Sequence, residues 1–217
     1  MICTVQNEVS QTLTTQLVKA RDLIDPITLP YILATGKSEL LVRDLFASQI
    51  DRSLCFGPET FVAREWRAHD LTVFESRGPI VVIEGKAWIH ADIVSGNKLT
   101  SAKDSIKSKM LIDIEKINLT RKDYPDLHGF LSTFLVTCDS TNRMFPTYSP
   151  IKYEQKHSAS IRRFGSLKRV VEEGNFMFQQ FIEKEFGATD IAKLEFFNGN
   201  YRNLDIQATM FLFKFAI

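Results

Sequence analysis

The stretch DLTVFESRGPIVVIEGK, residues 70–86, decides the fold, because it has the pattern of two strands joined by a tight turn. Ser76-Arg77-Gly78 supplies the turn, and the apolar run IVVI that follows is typical of a strand buried on both faces. In an antiparallel hairpin symmetric about Arg77, Asp70 faces Glu84. The sequence therefore predicts two carboxylates side by side on one face of a β-hairpin.

The segments around this hairpin predict an α/β fold. Strand-like residues 61–66 precede it, and apolar residues at helical spacing predict one helix from Ser38 and another over residues 101–117. An apolar strand at 129–137 follows, and a strand, helix and strand in succession form a crossover unit with parallel pairing. We expect a central mixed β-sheet of about five strands flanked by helices.

The chain of 217 residues is long enough for one domain, residues 1–217. A polar segment with spaced leucines predicts a peripheral N-terminal helical extension over about residues 1–30. Near the other end, Ser166 can cap a helix that reaches Phe186. A C-terminal β-hairpin is predicted over about residues 191–217, with its turn at Asn198-Gly199.

Composition narrows the function classes. No window approaches the roughly 18 apolar residues of a membrane-spanning helix, and no secretory signal opens the chain, so we expect a cytoplasmic protein without membrane contact. Three cysteines without a CxxC spacing predict neither a disulfide framework nor a zinc site. The net charge of +1 confines any nucleic-acid contact to a local surface. P-loop, dinucleotide-binding and serine-hydrolase motifs are absent from the sequence.

The hairpin carboxylates predict a metal site. Like charges directly opposed across two strands are destabilising, and a hard cation relieves the repulsion. Mg²⁺ takes one or two protein carboxylates and keeps positions for water and a phosphate. Lys86 follows Glu84 by two residues, so its ammonium projects from the same face beside the metal. Phosphodiester hydrolysis needs an activated water and a neutralised phosphate, which a metal and a lysine can provide.

In this pattern the chain resembles the PD-(D/E)XK phosphodiesterases, which include restriction endonucleases. Asp70 opens a strand, Glu84-Gly85-Lys86 closes the next, a helix with Glu39 precedes them, and a helix and strand follow. The resemblance implies a restriction endonuclease-like core in which Asp70 and Glu84 bind Mg²⁺, or Mn²⁺, and Glu39 completes the metal shell. It further implies that Lys86 positions the water or stabilises the transition state. His69 stands where the family has a proline.

The resemblance also implies a nucleic-acid substrate, with DNA favoured, and a homodimer would let two symmetric sites cut both strands of a duplex. Two basic clusters are candidates for phosphate contact, and each is equally well explained as a solvated helix face. One cluster comprises Lys98, Lys103, Lys107 and Lys109, and the other comprises Arg162, Arg163, Lys168 and Arg169. Lys103, Lys107, Arg162 and Arg163 are the residues singled out for nucleic-acid binding.

Several alternatives remain open. A second E-x-K tripeptide, Glu154-Gln155-Lys156, lies in a polar stretch without strand character. His69 and His90 flank the predicted site, where a supporting polar role is favoured over metal ligation. A catalytically silent nuclease fold that binds nucleic acid or protein is the alternative function, and a purely structural interaction protein is a third.

Overall fold

The computed structural model describes residues 2–25, 28–35, 38–96, 98–100, 103, 105–139, 151–201 and 203–215. Its helices are α1 (Ile2–Asp22), α2 (Thr28–Thr35), α3 (Ser38–Ser53), α4 (His90–Val94), α5 (Ile106–Asp123), α6 (Glu154–Phe164) and α7 (Leu167–Phe186). Its strands are β1 (Phe61–Trp66), β2 (His69–Glu75), β3 (Gly78–Ile89), β4 (His128–Asp139), β5 (Thr189–Tyr201) and β6 (Leu204–Lys214).

The strands form one six-stranded mixed sheet in the order β1-β2-β3-β4-β6-β5. Strands β3 and β4 are parallel, joined through α5, and the other neighbouring strands are antiparallel. This arrangement confirms the predicted α/β class with a mixed sheet flanked by helices. The sheet has one strand more than the five expected, because both strands of the C-terminal hairpin join it beside β4.

Two hydrophobic cores cover the two faces of the sheet. Helices α1, α2 and α3 pack on one face through residues such as Leu17 and Phe46. Helices α5 and α7 pack on the other through residues such as Met110 and Phe178. Strand β3 contributes to both cores, because its alternate side chains Val82 and Ile83 point to opposite faces.

The N-terminal segment is more than a peripheral extension. Leu13 and Leu17 of α1 are fully buried in the core on the α3 face of the sheet. The polar residues between these leucines hid this role in the sequence, since an amphipathic helix buries only one stripe.

The predicted C-terminal turn is wrong. Asn198 and Gly199 lie within β5 and pair with residues of β6, and the chain reverses after Tyr201, which pairs with Leu204. Asn203 adopts the left-handed backbone conformation at this turn, and its amide donates to the side chain of Asn200. Asparagine tolerates that conformation, so it replaces the glycine on which the prediction depended.

Helix α7 was predicted correctly at both ends. The Ser166 hydroxyl accepts a hydrogen bond from the amide of Arg169, and Gly187 ends the helix in the left-handed conformation. In the part of the chain that the structure describes, no helix has both the length and the apolar character needed to cross a bilayer.

Candidate active site

The register between β2 and β3 agrees with the sequence prediction near the candidate site. Leu71 pairs with Ile83, which places Asp70 and Glu84 next in line. The turn is one residue shorter than expected, because Glu75 pairs with Gly78, but a bulge between Val73 and Phe74 restores the register.

Asp70 lies where β2 and β3 stop pairing. Its Oδ2 accepts a hydrogen bond from the amide of Gly85 at 2.7 Å. Its Oδ1 lies 3.7 Å from a guanidinium nitrogen of Arg43 on α3, and that guanidinium also contacts Glu65. The aspartate of β2 is thus attached to the middle residue of the Glu84-Gly85-Lys86 tripeptide.

Glu84 is met by His69, whereas the sequence predicted Asp70 as its neighbour. His69 Nδ1 lies 2.5 Å from Glu84 Oε1, and both side chains are fully buried. The two residues that precede His69, Arg67 and Ala68, have positive φ angles, so β2 begins directly after a sharp turn. Asp70 and His69 therefore approach β3 from different sides. The side chains of a regular paired strand alternate between the two faces of the sheet, and these two residues do not follow that alternation.

Helix α5 supplies polar partners to the α5-facing side of β3. We call its residues Lys109, Asp113, Lys116 and Thr120 the α5 ladder. They are four, three and four positions apart, which places them along one side of the helix. The Lys116 ammonium lies 2.7 Å from Glu84 Oε1, and the Lys86 ammonium lies 2.7 Å from Asp113 Oδ2. Thr120 Oγ1 lies 2.7 Å from His69 Nε2. The Lys109 ammonium lies 5.3 Å from the centroid of the Trp88 ring.

Four of these groups form a quartet of alternating charge, namely Glu84, Lys116, Asp113 and Lys86. Each lysine pairs across the gap between strand and helix with a carboxylate that is almost fully buried. The ammonium of Lys116 also donates to the carbonyl oxygen of Ala68 at 2.6 Å. The quartet has no net charge, so each buried carboxylate has a cation to offset its desolvation.

The charges of the three predicted catalytic residues act on one another. Burial raises the pKa of Glu84 above its usual value, the His69 and Lys116 interactions oppose this rise, and the charge of Asp70 adds to it. Burial alone would lower the pKa of Lys86, but Asp113, followed by Asp70 and Glu84, raises it above the ordinary lysine value. Lys86 is therefore a permanent cation at neutral pH.

Asp70 and Glu84 are the carboxylates that could bind a hard cation, and they offer few ligand atoms. Glu84 Oε2 is buried and has no hydrogen-bond partner among the residues that the structure describes. Within those same residues, no three His, Cys, Asp or Glu side chains are grouped closely enough to hold a metal ion on their own. Mg²⁺ can bind through one or two protein carboxylates, with water and a substrate phosphate as the other ligands. Asp70 and Glu84 would supply two such carboxylates, but Asp70 faces Arg43 of α3 and Glu84 faces Lys116 of α5.

A cavity of about 20 Å³ opens on the α3 face beside Asp70. Arg43, Asp70, Gly85 and Lys86 contribute to its polar lining, and residues such as Phe46 and Phe134 contribute to its apolar lining. Its volume holds about one water molecule. Asp70 and Lys86 therefore both line a small, partly enclosed space.

Other predicted residues have different surroundings. Glu39 lies in the first turn of α3, but its side chain is outside the described residues. Lys103 is exposed before α5, and Lys107 pairs with Glu185 of α7. Arg162 and Arg163 are exposed in the last turn of α6.

The remaining two alternatives from the sequence lie away from the hairpin. His90 is fully buried between Thr137 and Asn175, which agrees with a supporting polar role. The second E-x-K tripeptide forms the first turn of α6, where Lys156 pairs with Asp92.

Asp113, Lys116, Thr120 and Arg43 were not predicted from the sequence. Together with Lys109, the first three form a four-three-four spacing of polar residues, and this spacing is visible in the sequence of the predicted helix. No family model, curated protein or solved structure matches the chain.

Proposed function

We propose that the protein is a metal-dependent nuclease of the PD-(D/E)XK type, an endodeoxyribonuclease that uses Mg²⁺ and accepts Mn²⁺. The observation that carries the proposal is the hydrogen bond from the Gly85 amide to Asp70. It brings the aspartate of one strand next to the tripeptide of the following strand, and these are two parts of the nuclease pattern.

The order of the elements supports a restriction endonuclease-like core. Helix α3, strands β1, β2 and β3, helices α4 and α5 and strand β4 follow one another, and the four strands are neighbours in that order in the sheet. The proposed site lies where the paired part of β2 and β3 ends, and Lys86 is placed two residues beyond Glu84 on β3. Cytoplasmic location and a homodimer belong to the same proposal.

Asp70 and Glu84 are the residues that would hold the cation. Bound there, a divalent metal supplies Lewis-acid activation of water and of the phosphate. Hydrolysis forms one P–O bond from water and breaks one P–O ester bond, with a proton passing to the departing alcohol. The Lys86 ammonium neutralises negative charge that builds up on the phosphate oxygens. His69 and Lys116 keep the Glu84 carboxylate in one orientation.

A catalytically silent binding module is the second candidate, and the quartet favours it. Glu84 Oε1 already accepts from two groups, and both lysines already have carboxylate partners. Such a site is stable as a purely structural network. In that case an Asp70→Asn change would leave DNA binding intact. Neither the wild-type protein nor any variant would cleave DNA.

The experiment that separates the two incubates wild-type protein with plasmid DNA, single-stranded DNA and RNA in Mg²⁺, in Mn²⁺ and in EDTA. Lys86→Ala tests the proposed site, and Lys156→Ala is its matched control in the second tripeptide. Cleavage that requires metal and is lost only in Lys86→Ala supports the nuclease. Binding of DNA without cleavage of any substrate supports the binding module.

A further inference from the structure

The Lys86 side chain has a dedicated partner on α5. Its ammonium lies 2.7 Å from Asp113 Oδ2, and Asp113 is the only carboxylate within 4 Å of it among the residues that the structure describes. Lysine carries a compact charge on a flexible four-carbon stem, so it adopts many positions unless a partner fixes it. Asp113 provides that restraint from outside the hairpin.

Asp113 is itself buried in a closely packed part of the molecule. Its side chain is 7% exposed, and the residues one turn before and after it, Met110 and Ile117, are buried in the core. Helix α5 approaches the sheet closely, because Gly129 of β4 leaves room for Ile117. The carboxylate of Asp113 therefore lies between the helix and the sheet, where the Lys86 side chain reaches it.

A stabilising role alone does not account well for this pair. Burying two opposite charges is often no better for stability than packing apolar side chains of the same volume. The Lys86 side chain is still 27% exposed, so an incoming group can reach part of it. A buried anion behind a partly open cation is the arrangement expected for presenting a charge to a phosphate.

We propose that Asp113 is a positioning residue of the site, which holds the Lys86 ammonium where the phosphate binds. This role rests on the proposed nuclease function. Asp113 itself touches neither substrate nor metal, and it acts only through Lys86.

The test compares Asp113→Asn with Asp123→Asn, an aspartate on the same helix whose partner is the exposed Arg67. Single-turnover cleavage of plasmid DNA is measured between pH 6 and pH 10 at fixed Mg²⁺. We expect Asp113→Asn to lower the rate constant by roughly tenfold or more, while the enzyme concentration for half-saturation changes less than twofold. As the pH is raised, the variant should also lose activity at a lower pH than wild type does. Lys86 loses the neighbouring negative charge that keeps it protonated.

A second measurement does not depend on activity. The lysines are labelled by reductive ¹³C-methylation, Lys86 is assigned with Lys86→Arg, and its titration is followed by NMR. We expect the midpoint for Lys86 to fall in Asp113→Asn and to stay unchanged in Asp123→Asn, with both variants folded by circular dichroism.

The outcomes are distinguishable. If wild type is active and Asp113→Asn matches Asp123→Asn in rate and pH profile, the positioning role is overturned. A titration midpoint of Lys86 that does not change in Asp113→Asn overturns it as well. An inactive wild type overturns the proposed function first, and a Lys86 midpoint that still depends on Asp113 then identifies the pair as a structural ion pair.

Discussion

His69 and Glu84 face each other across β2 and β3 with Nδ1 and Oε1 2.5 Å apart, and neither side chain is exposed to solvent. The other ring nitrogen of His69 lies 2.7 Å from Thr120 Oγ1, so the imidazole connects strand β3 to helix α5. Lys116 contacts the same oxygen of Glu84 from the helix side. The Glu84 carboxylate is therefore held by His69 from the strand side and by Lys116 from the helix side.

The first prediction concerns the acceptor role of Glu84. Glu84→Ala leaves the buried His69 and the Lys116 ammonium without their shared acceptor, and we expect a loss of about 3–5 kcal/mol in the free energy of unfolding. Glu84→Gln keeps a carbonyl oxygen that can accept from both, so its loss should stay under about 2 kcal/mol. Urea denaturation at pH 7 measures both values. Equal losses would show that the two contacts do not depend on an oxygen acceptor.

The sequence carried enough information for the hairpin, because period-two patterning and turn position together fix a register. The shorter turn and the bulge offset each other. Leu71 therefore pairs with Ile83, as the predicted symmetric register requires. The side chain that meets Glu84 was not predictable in this way. It depends on the two left-handed residues before His69, which belong to types that seldom adopt positive φ.

The α5 ladder shows a second limit. Apolar periodicity located the helix, but pairing Lys116 with Glu84 requires the rotation and height of α5 above the sheet. Those are set by tertiary packing, in particular by the close approach of Ile117 to Gly129. The helix lysines Lys109 and Lys116 are therefore partly engaged with β3.

The second prediction tests that close approach. A Cβ at Gly129 would overlap the Ile117 side chain and lie 3.2 Å from a guanidinium nitrogen of Arg121. We expect Gly129→Ala to lower the free energy of unfolding by about 1–3 kcal/mol through overpacking. At Gly85 the nearest atom to an added Cβ is Asp70 Oδ2 at 3.6 Å, an ordinary contact, so Gly85→Ala serves as the matched control. Thermal unfolding of both variants measures the difference, and equal stability would contradict the packing described for α5.

The third prediction concerns pH. Burial lowers the pKa of His90 and of His157 to about 4, so both are neutral in the folded protein at pH 7. The unfolded chain takes up a proton at each below about pH 6.5, so stability is complete above that pH and falls as the pH decreases toward 4. Each histidine should contribute a loss of about 3 kcal/mol over this interval.

Histidine titrations followed by NMR check this prediction directly. Midpoints near 4 are expected for His90 and His157, assigned with His90→Asn and His157→Asn. Midpoints near 6.5 for both would contradict the burial of these rings.

The fourth prediction separates the two basic clusters. Arg162 and Arg163 are exposed, whereas the Lys107 ammonium is held by Glu185. If the α6 end contacts phosphates, each arginine-to-alanine change should weaken DNA binding and reduce the slope of log K against log salt by about one unit. Lys107→Ala should change that slope less. Fluorescence anisotropy at several salt concentrations gives the slopes, and a larger effect of Lys107→Ala would reverse the assignment.

The measurement that tests the central claim most directly is the rate of Mg²⁺-dependent nicking of supercoiled plasmid by wild-type protein, Glu84→Gln and Glu154→Gln. The two variants alter the same residue type in the two E-x-K tripeptides, and only the first should matter. We predict that wild type and Glu154→Gln nick at equal rates, that EDTA stops both, and that Glu84→Gln is slower by roughly 100-fold or more. Nicking that survives in Glu84→Gln at the wild-type rate, or no nicking by wild type in Mg²⁺ or Mn²⁺, would contradict the assignment of this site as a nuclease centre.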